Sequence, residues 1–226
     1  SNPEGGNYER YRRVVYGKHD AYIKEWAKDL KRATAPSGKP VIVRYAHESW
    51  GTYFPWSVWN FDNNKYFFKQ AWRHIWQKFK NVGAKPRARF MWSQVHMRRE
   101  IWPGDKYVDI IGATVLNFGA QRTWKNAKKA ADAAAKSARK LAKKPVIFVE
   151  TASHYKGGNK AAWIKNLYNR AYYAYPFVKG NVYLDTDEPH KLLGQPDWRL
   201  IKPDNLSALK AYKNLANQQR FRGVIR

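Results

Sequence analysis

Five short runs carry most of the structural signal in this 226-residue chain: "PVIVRYAHE" (40–48), "ARFMWSQV" (88–95), "YVDIIGATVL" (107–116), "KPVIFVETAS" (144–153) and "GNVYLDTDE" (180–188). Each is near-continuously apolar and rich in Val and Ile. A strand covered on both faces reads that way, whereas a half-exposed strand alternates. Amphipathic helical patterns lie between the runs. Residues 20–33 place Tyr22, Ile23, Trp26, Ala27 and Leu30 on one face, and residues 64–83 do the same with Phe68, Ala71, Trp72, Ile75, Trp76 and Phe79 before stopping at Gly83. Further helices are expected over 124–144, 159–175 and 205–219. Strand, loop and helix in repetition mean βαβ units and a parallel sheet.

Two α/β architectures fit that order, an open doubly wound sheet and part of a (β/α)8 barrel. No GxGxxG follows any of the runs, so the dinucleotide-binding fingerprint of the first is missing. Most runs end on a polar residue, namely Glu48, Gln94, Asn117, Glu150 or Asp185. Catalytic residues of barrels gather at the C-terminal ends of strands, so the pattern favours the barrel. Ahead of residue 40, "NYERYRRVVYGKHDAY" reads as a polar loop entering a helix.

Glu48 and Glu150 are the two carboxylates that close such runs. A barrel would bring both to one mouth, and two carboxylates about 5–5.5 Å apart perform retaining glycoside hydrolysis. An aromatic wall would help, by desolvation, to keep one of them protonated. Either is also readable as an ion-pair partner on the rim of a very basic chain. Lys and Arg number 43 against 17 Asp and Glu, a net charge of +26. That field suits an anionic partner such as an acidic polysaccharide, a cell-wall surface or nucleic acid; it also suits plain solubility. Eleven Trp and fifteen Tyr supply either a bulky core or platforms for flat rings.

Other motifs are weaker. His47–Glu48 does not continue into HExxH, because residue 51 is Gly. His19, His74, His96, His154 and His190 show no metal-ligand spacing. His74 reads as a helix-surface residue, and His96 and His154 follow strands closely enough to reach a cleft. "KGGNK" (156–160) reads as a turn and helix start, and Asp105 and Asp109 as structural. The basic helix 124–144 reads as a solvated outer face, with docking to an anionic polymer as the functional alternative. Cysteine is absent, so disulfides and thiolate metal sites are excluded. No stretch reaches membrane-span length. The opening "SNPEGG" reads as a processed start rather than a targeting signal.

Four co-linear segments resemble glycoside hydrolase family 26, the β-mannanase and mixed-linkage β-glucanase family. "RYAHESWGTYFPWS" is similar to the segment after strand 4. "YFFKQAWRHIWQKFKNVGAKPRARFMWSQ" is similar to helix 4 and strand 5, "WPGDKYVDIIGATVLNFG" to the run into strand 6, and "KPVIFVETAS" to strand 7. The resemblance runs from about residue 17 to 200 and implies a (β/α)8 TIM barrel. It also implies an extracellular, retaining endo-β-glycanase that acts on β-mannan, mixed-linkage β-glucan or an acidic exopolysaccharide, without cofactor or metal. By the same resemblance Glu48 is the acid/base, Glu150 the nucleophile and His47 a sugar-binding neighbour. Trp50, Tyr53, Trp56, Tyr155, Trp198 and Arg199 line the cleft.

The departures from the family pattern define the rivals. Ser49–Trp50–Gly51 stands where the family has Met-Asn-Gly, and Thr114 and Leu116 stand where it has Asp and Tyr. A non-catalytic carbohydrate-binding barrel is therefore the first alternative, and a basic nucleic-acid binder using its aromatics for stacking is the second. By the family template the chain holds strands 4–8 of a single catalytic domain, residues 1–226. A companion segment of about three βα units, from the same gene or a partner copy, is expected to complete the barrel.

Overall fold

The structure, a computed structural model, describes residues 10–60, 64–186, 197–202 and 206–221. Its elements run α1 (Arg10–Val15), α2 (Asp20–Thr34), β1 (Val41–Val43), α3 (Lys65–Asn81), β2 (Ala88–Gln94), β3 (Ile110–Asn117), α4 (Ala127–Leu141), β4 (Val146–Ser153), α5 (Lys160–Ala174), β5 (Val178–Tyr183) and α6 (Ser207–Ala216). The strand order is β1-β2-β3-β4-β5, and β1 with β2 and β4 with β5 pair in parallel. A doubly wound sheet reverses its order at a switch point. A strictly sequential order belongs to the barrel class. The chain clusters into two compact units, residues 1–111 and 112–226.

In the first unit α3 is the central support. Asn64 caps it, its side chain accepting the Phe67 N–H at 2.9 Å. The helix ends in a Schellman motif, where Ala84 N–H donates to Phe79 O and Gly83 N–H to Lys80 O. Gly83 stands there at φ 67°, a backbone state that side chains disfavour. The apolar face of α3 buries Phe68, Ala71, Trp72 and Phe79 against Tyr11 and Phe90. Tyr11 corrects the polar-loop reading of residues 7–22. Its ring is 1% exposed, and burying it beside Val14 folds the segment into α1. His74 is corrected too. Its Nε2 lies 2.6 Å from Asp20 Oδ1, and Lys78 joins the same carboxylate, tying α2 to α3. Burial raises the pKa of Asp20, but hydrogen bonds from Lys78 and His74 outweigh that and hold it below the usual range.

In the second unit α4 turns an alanine stripe inward. Ala127, Ala131, Ala135 and Ala138 are buried at helical spacing, while Lys128, Lys129, Lys136, Arg139 and Lys140 face solvent. Small side chains let the backbone of α4 approach its neighbours closely. Asp132 clasps Arg170 and the Tyr175 hydroxyl, joining α4 to α5 and the turn after it. Asn126 and Asn159 cap α4 and α5, so "KGGNK" is indeed a turn and helix start.

The tight alanine stripe carries a stability prediction. Ala135→Leu should destabilise by about 1–3 kcal/mol through overpacking, while Lys136→Ala next to it should stay within about 0.5 kcal/mol. Urea unfolding of the two variants measures the contrast.

Candidate active site

Strand β1 ends at Val43, so Glu48 does not close a strand as its apolar run suggests. The run stays apolar for another reason. The Tyr45 ring packs edge-on to Tyr11 and Trp72, and burial pushes its hydroxyl pKa up. Beyond it the chain enters a tight turn in which Ala46 and Glu48 take positive φ, 42° and 50°. Non-glycine residues rarely occupy that region, and each costs of order 1–3 kcal/mol.

The end of β2 holds the turn in place. Glu48 N–H donates to Ser93 O at 2.9 Å, and Arg44 Nε donates to Ser93 Oγ at 2.7 Å. Gln94 grips the next two residues: its Nε2 donates to Ser49 Oγ at 3.0 Å, and its Oε1 accepts the Trp50 N–H at 3.2 Å. Val58 N–H closes the loop onto Ser49 O at 2.8 Å. Ser49, Ser93 and Gln94 are all buried. Satisfied buried polar groups of this kind fix one geometry, because each lost partner leaves a costly orphan.

Glu48 is only 7% exposed. Tyr53, itself 42% exposed, donates its hydroxyl to Glu48 Oε2 at 2.6 Å. Gly51 makes room for that contact, since a Cβ there would lie 2.5–2.9 Å from the outer ring atoms of Tyr53. His47 packs against Phe54 and Trp56, with ring centres 4.6 and 5.0 Å away. Phe54 and Trp56 stack at 4.5 Å and 9°. The Trp56 indole donates to His47 O at 2.7 Å, and its own carbonyl accepts the Tyr11 hydroxyl. Trp56 is therefore a brace of the turn as well as an aromatic wall. Trp50 lies edge-on to Trp59 at 4.8 Å.

In the second unit Glu150 lies inside β4 rather than at its end. Pairing with β5 shifts there: from Phe148 to Thr151 β4 advances three residues while β5 advances two, Asn181 to Tyr183. Such bulges re-aim side chains and are common beside active sites. Thr151 anchors the segment through Val182 O and the Tyr168 hydroxyl. Asn117, at the end of β3, donates to Ser153 Oγ at 2.9 Å, and its carbonyl accepts the His154 N–H. His154 is 5% exposed; burial lowers its pKa, and its Nδ1 accepts the Lys156 N–H.

Tyr155 donates its hydroxyl to Leu200 O, and Lys160 Nζ stands 4.0 Å over its ring. Trp198 is 2% exposed and packs on Phe118 and Ala152, with Leu116 against the same cluster. Expected to line the cleft beside Arg199, Trp198 is buried within this apolar cluster. Arg199 makes a two-point pair with Asp197. Thr114 is half-buried. His190 lies outside the described residues.

Lys160 carried no signal in the sequence, yet it is 3% exposed. Its ammonium donates to Arg199 O at 2.7 Å. Burial pulls its pKa down to about 7, with Asp197 and Asp185 opposing the shift. Only the fold reveals it, because a lysine at the first turn of a helix is ordinarily solvated.

Comparisons with known proteins bear on the family and the fold. The family described as glycosyl hydrolase family 26 matches residues 3–172. Endoglucanase H of Acetivibrio thermocellus is 30% identical over 212 residues, covering 87% of this chain and 22% of that protein. Among solved structures, the catalytic domain of the Bacillus sp. JAMB-750 endo-β-1,4-mannanase superposes with a TM-score of 0.65 at 18% identity, covering 90% of this chain and 57% of that one. A β-mannanase from Bacteroides ovatus gives 0.63 at 17% identity, covering 99% and 68%. At such identities the structures speak for the fold. The chain spans about a fifth of its curated relative and somewhat over half of these solved chains.

The buried lysine sets a pH prediction. An unfolded lysine titrates near about 10.4, so between pH 7 and about 10 the unfolded chain binds more protons at this position and folding gains stability as pH rises. The burial penalty is fully present below pH 7. Lys160→Met should therefore improve stability relative to the parent more at pH 6 than at pH 9.5. Urea unfolding at the two pH values checks the difference.

Proposed function

The chain belongs to glycosyl hydrolase family 26, and on that footing we propose that it is the catalytic portion of a retaining endo-β-glycanase acting on a β-linked polysaccharide. The observation that carries the reading is Glu48: a buried carboxyl in a strained, fully clamped turn, hydrogen-bonded by Tyr53 and walled by aromatics. Strain of that kind persists where the surroundings over-determine it, and active sites are where it accumulates.

In this reading Glu48 gives its proton to the glycosidic oxygen as the bond to the anomeric carbon breaks. Glu150 attacks that carbon from the opposite face and forms a glycosyl-enzyme ester. Glu48, now ionised, takes a proton from water, and the resulting attack frees Glu150. The mechanism requires the two carboxyls to come within about 5–5.5 Å of each other. Tyr53 orients the Glu48 carboxyl, and the exposed aromatics Tyr53 and Trp59 offer faces for sugar rings. Both compact units together make up one catalytic domain, and the enzyme works outside the cell, where polysaccharides are met. Among the described residues, β1 pairs only with β2 and leaves Val41 and Ile42 41% and 42% exposed. An apolar strand edge seeks a partner, so a further βα segment, on this polypeptide or another, covers that edge.

One observation favours a second reading. Leu116 sits in the apolar cluster of Phe118, Ala152 and Trp198, at the position where the family resemblance expects a tyrosine hydroxyl. A barrel that binds glycans without cleaving them is that reading.

Substitution separates the two. Glu48→Ala should slow polysaccharide cleavage by about 10²–10⁴-fold, the usual worth of general acid–base catalysis, yet leave kcat/KM near the parent's for an aryl glycoside whose leaving group needs no proton, while kcat falls because water attacks the glycosyl-enzyme without a base. Glu150→Gln should abolish turnover of both while glycan binding stays near the parent's. A parent that binds β-glycans but releases no reducing ends supports the non-catalytic barrel.

A further inference from the structure

Beside the Glu48 turn lies a cluster of two indoles and two cations, and the catalytic reading gives the cations no part. Trp59 is 48% exposed, its indole N–H donates to Trp50 O at 2.9 Å, and its backbone N–H donates to Ser57 Oγ at 3.1 Å. Trp50 is held by Gln94, the same side chain that fixes Ser49. The two indoles therefore form a rigid corner two residues from Glu48. Two cations stand over it. Lys65 Nζ is 4.5 Å from the centre of Trp59 and 5.1 Å from that of Trp50, and the Arg98 guanidinium carbon is 5.2 Å from Trp50.

Among the described residues of this unit, the ion-paired carboxylates are engaged elsewhere. Asp20 pairs with His74 and Lys78, Glu25 with Lys28 and Arg32, and Asp109 with Lys85. Lys65 and Arg98 instead rest on indole faces. A cation–π contact holds the charge in place without neutralising it, and a lysine or arginine carries several N–H donors, so each cation can still donate to an anion. A neutral sugar would use the Trp59 face alone. A sugar that carries a carboxylate would use the face and both cations, through charge-assisted hydrogen bonds.

We propose that Trp50, Trp59, Lys65 and Arg98 form a subsite for a hexuronate residue, so that the preferred glycan is acidic. The inference rests on the glycanase reading only in taking the occupant to be a polysaccharide threaded past Glu48. The net charge of +26 draws any polyanion toward the surface, whereas this corner selects for a carboxylate attached to a flat ring.

The test is calorimetry on the full chain with three probes: β-1,4-linked mannuronate hexamer, neutral β-1,4-mannohexaose and single-stranded oligothymidylate. Physiological ionic strength, with a screening length of about 8 Å, suppresses long-range attraction. The mannuronate hexamer should bind at least about tenfold tighter than the neutral one, and Lys65→Gln with Arg98→Gln should remove most of that preference. Trp59→Ala should weaken both sugars. Lys129→Gln with Lys140→Gln, on the exposed face of α4, should change the preference by less than about twofold.

Equal affinity for the two hexamers overturns the proposal. So does an equal loss from the α4 pair, which would make the preference a bulk-charge effect. Tighter, Lys65- and Arg98-dependent binding of oligothymidylate also overturns it, by assigning the corner to nucleic acid. The outcomes separate this inference from the hydrolase reading. Cleavage of neutral mannan without any acidic preference sinks the subsite alone. The acidic preference without cleavage of any glycan sinks the hydrolase alone.

Discussion

The grip of β2 on the turn after β1 is the constraint on which the candidate site depends. Glu48 takes a left-handed backbone that costs of order 1–3 kcal/mol, and it keeps that shape because Ser93 O accepts its N–H while Gln94 spans Ser49 and Trp50. If the clamp is released, the turn relaxes toward extended chain. Glu48 then swings away from Tyr53, and the Trp50–Trp59 corner loses its anchor. The clamp is held by a buried strand: Phe90 and Trp92, two residues apart on one face of β2, are buried, Phe90 against Trp72 and Phe79 and Trp92 against Trp102. An aromatic core thus becomes the fixed frame for a polar turn.

The second unit uses a different device for a similar end. Glu150 is placed within a strand, where the pairing of β4 with β5 slips by one residue. Asn117, at the end of β3, secures the last residue of β4 by binding Ser153, and its amide oxygen also accepts the Lys125 and Gly119 N–H groups. Both carboxylates thus sit at departures from regular strand geometry, each beside a segment secured by an amide side chain that ends another strand, Gln94 of β2 for the residues after Glu48 and Asn117 of β3 for the residues after Glu150.

Much of this was legible in the sequence. Runs of Val and Ile marked the strands, and Gly83 marked the end of a helix, because these signals are local. The family resemblance pointed to Glu48 and Glu150, and family membership stands on the sequence match. The features that stayed hidden depend on distant partners. A run such as "VIVRYAHE" reads as strand to its last residue, since nothing in composition announces positive φ at Ala and Glu. Tyr11 looked like loop because its burial depends on Phe68 and Tyr45, far along the chain. Trp198 looked like a cleft residue because a buried and an exposed tryptophan are the same letter. Lys160 had no signal at all, as its burial comes from Arg199, Tyr155 and Tyr183.

The most direct test of the central claim is to trap the covalent intermediate. Incubation with a 2-deoxy-2-fluoro glycoside bearing an activated leaving group slows the second step more than the first, so a glycosyl-enzyme ester accumulates. Peptide mass spectrometry then locates it. The account predicts one sugar per chain, on the peptide carrying Glu150, with Glu48 unlabelled. A label on Glu48, or steady turnover of an activated substrate with inverted anomeric configuration, would contradict it.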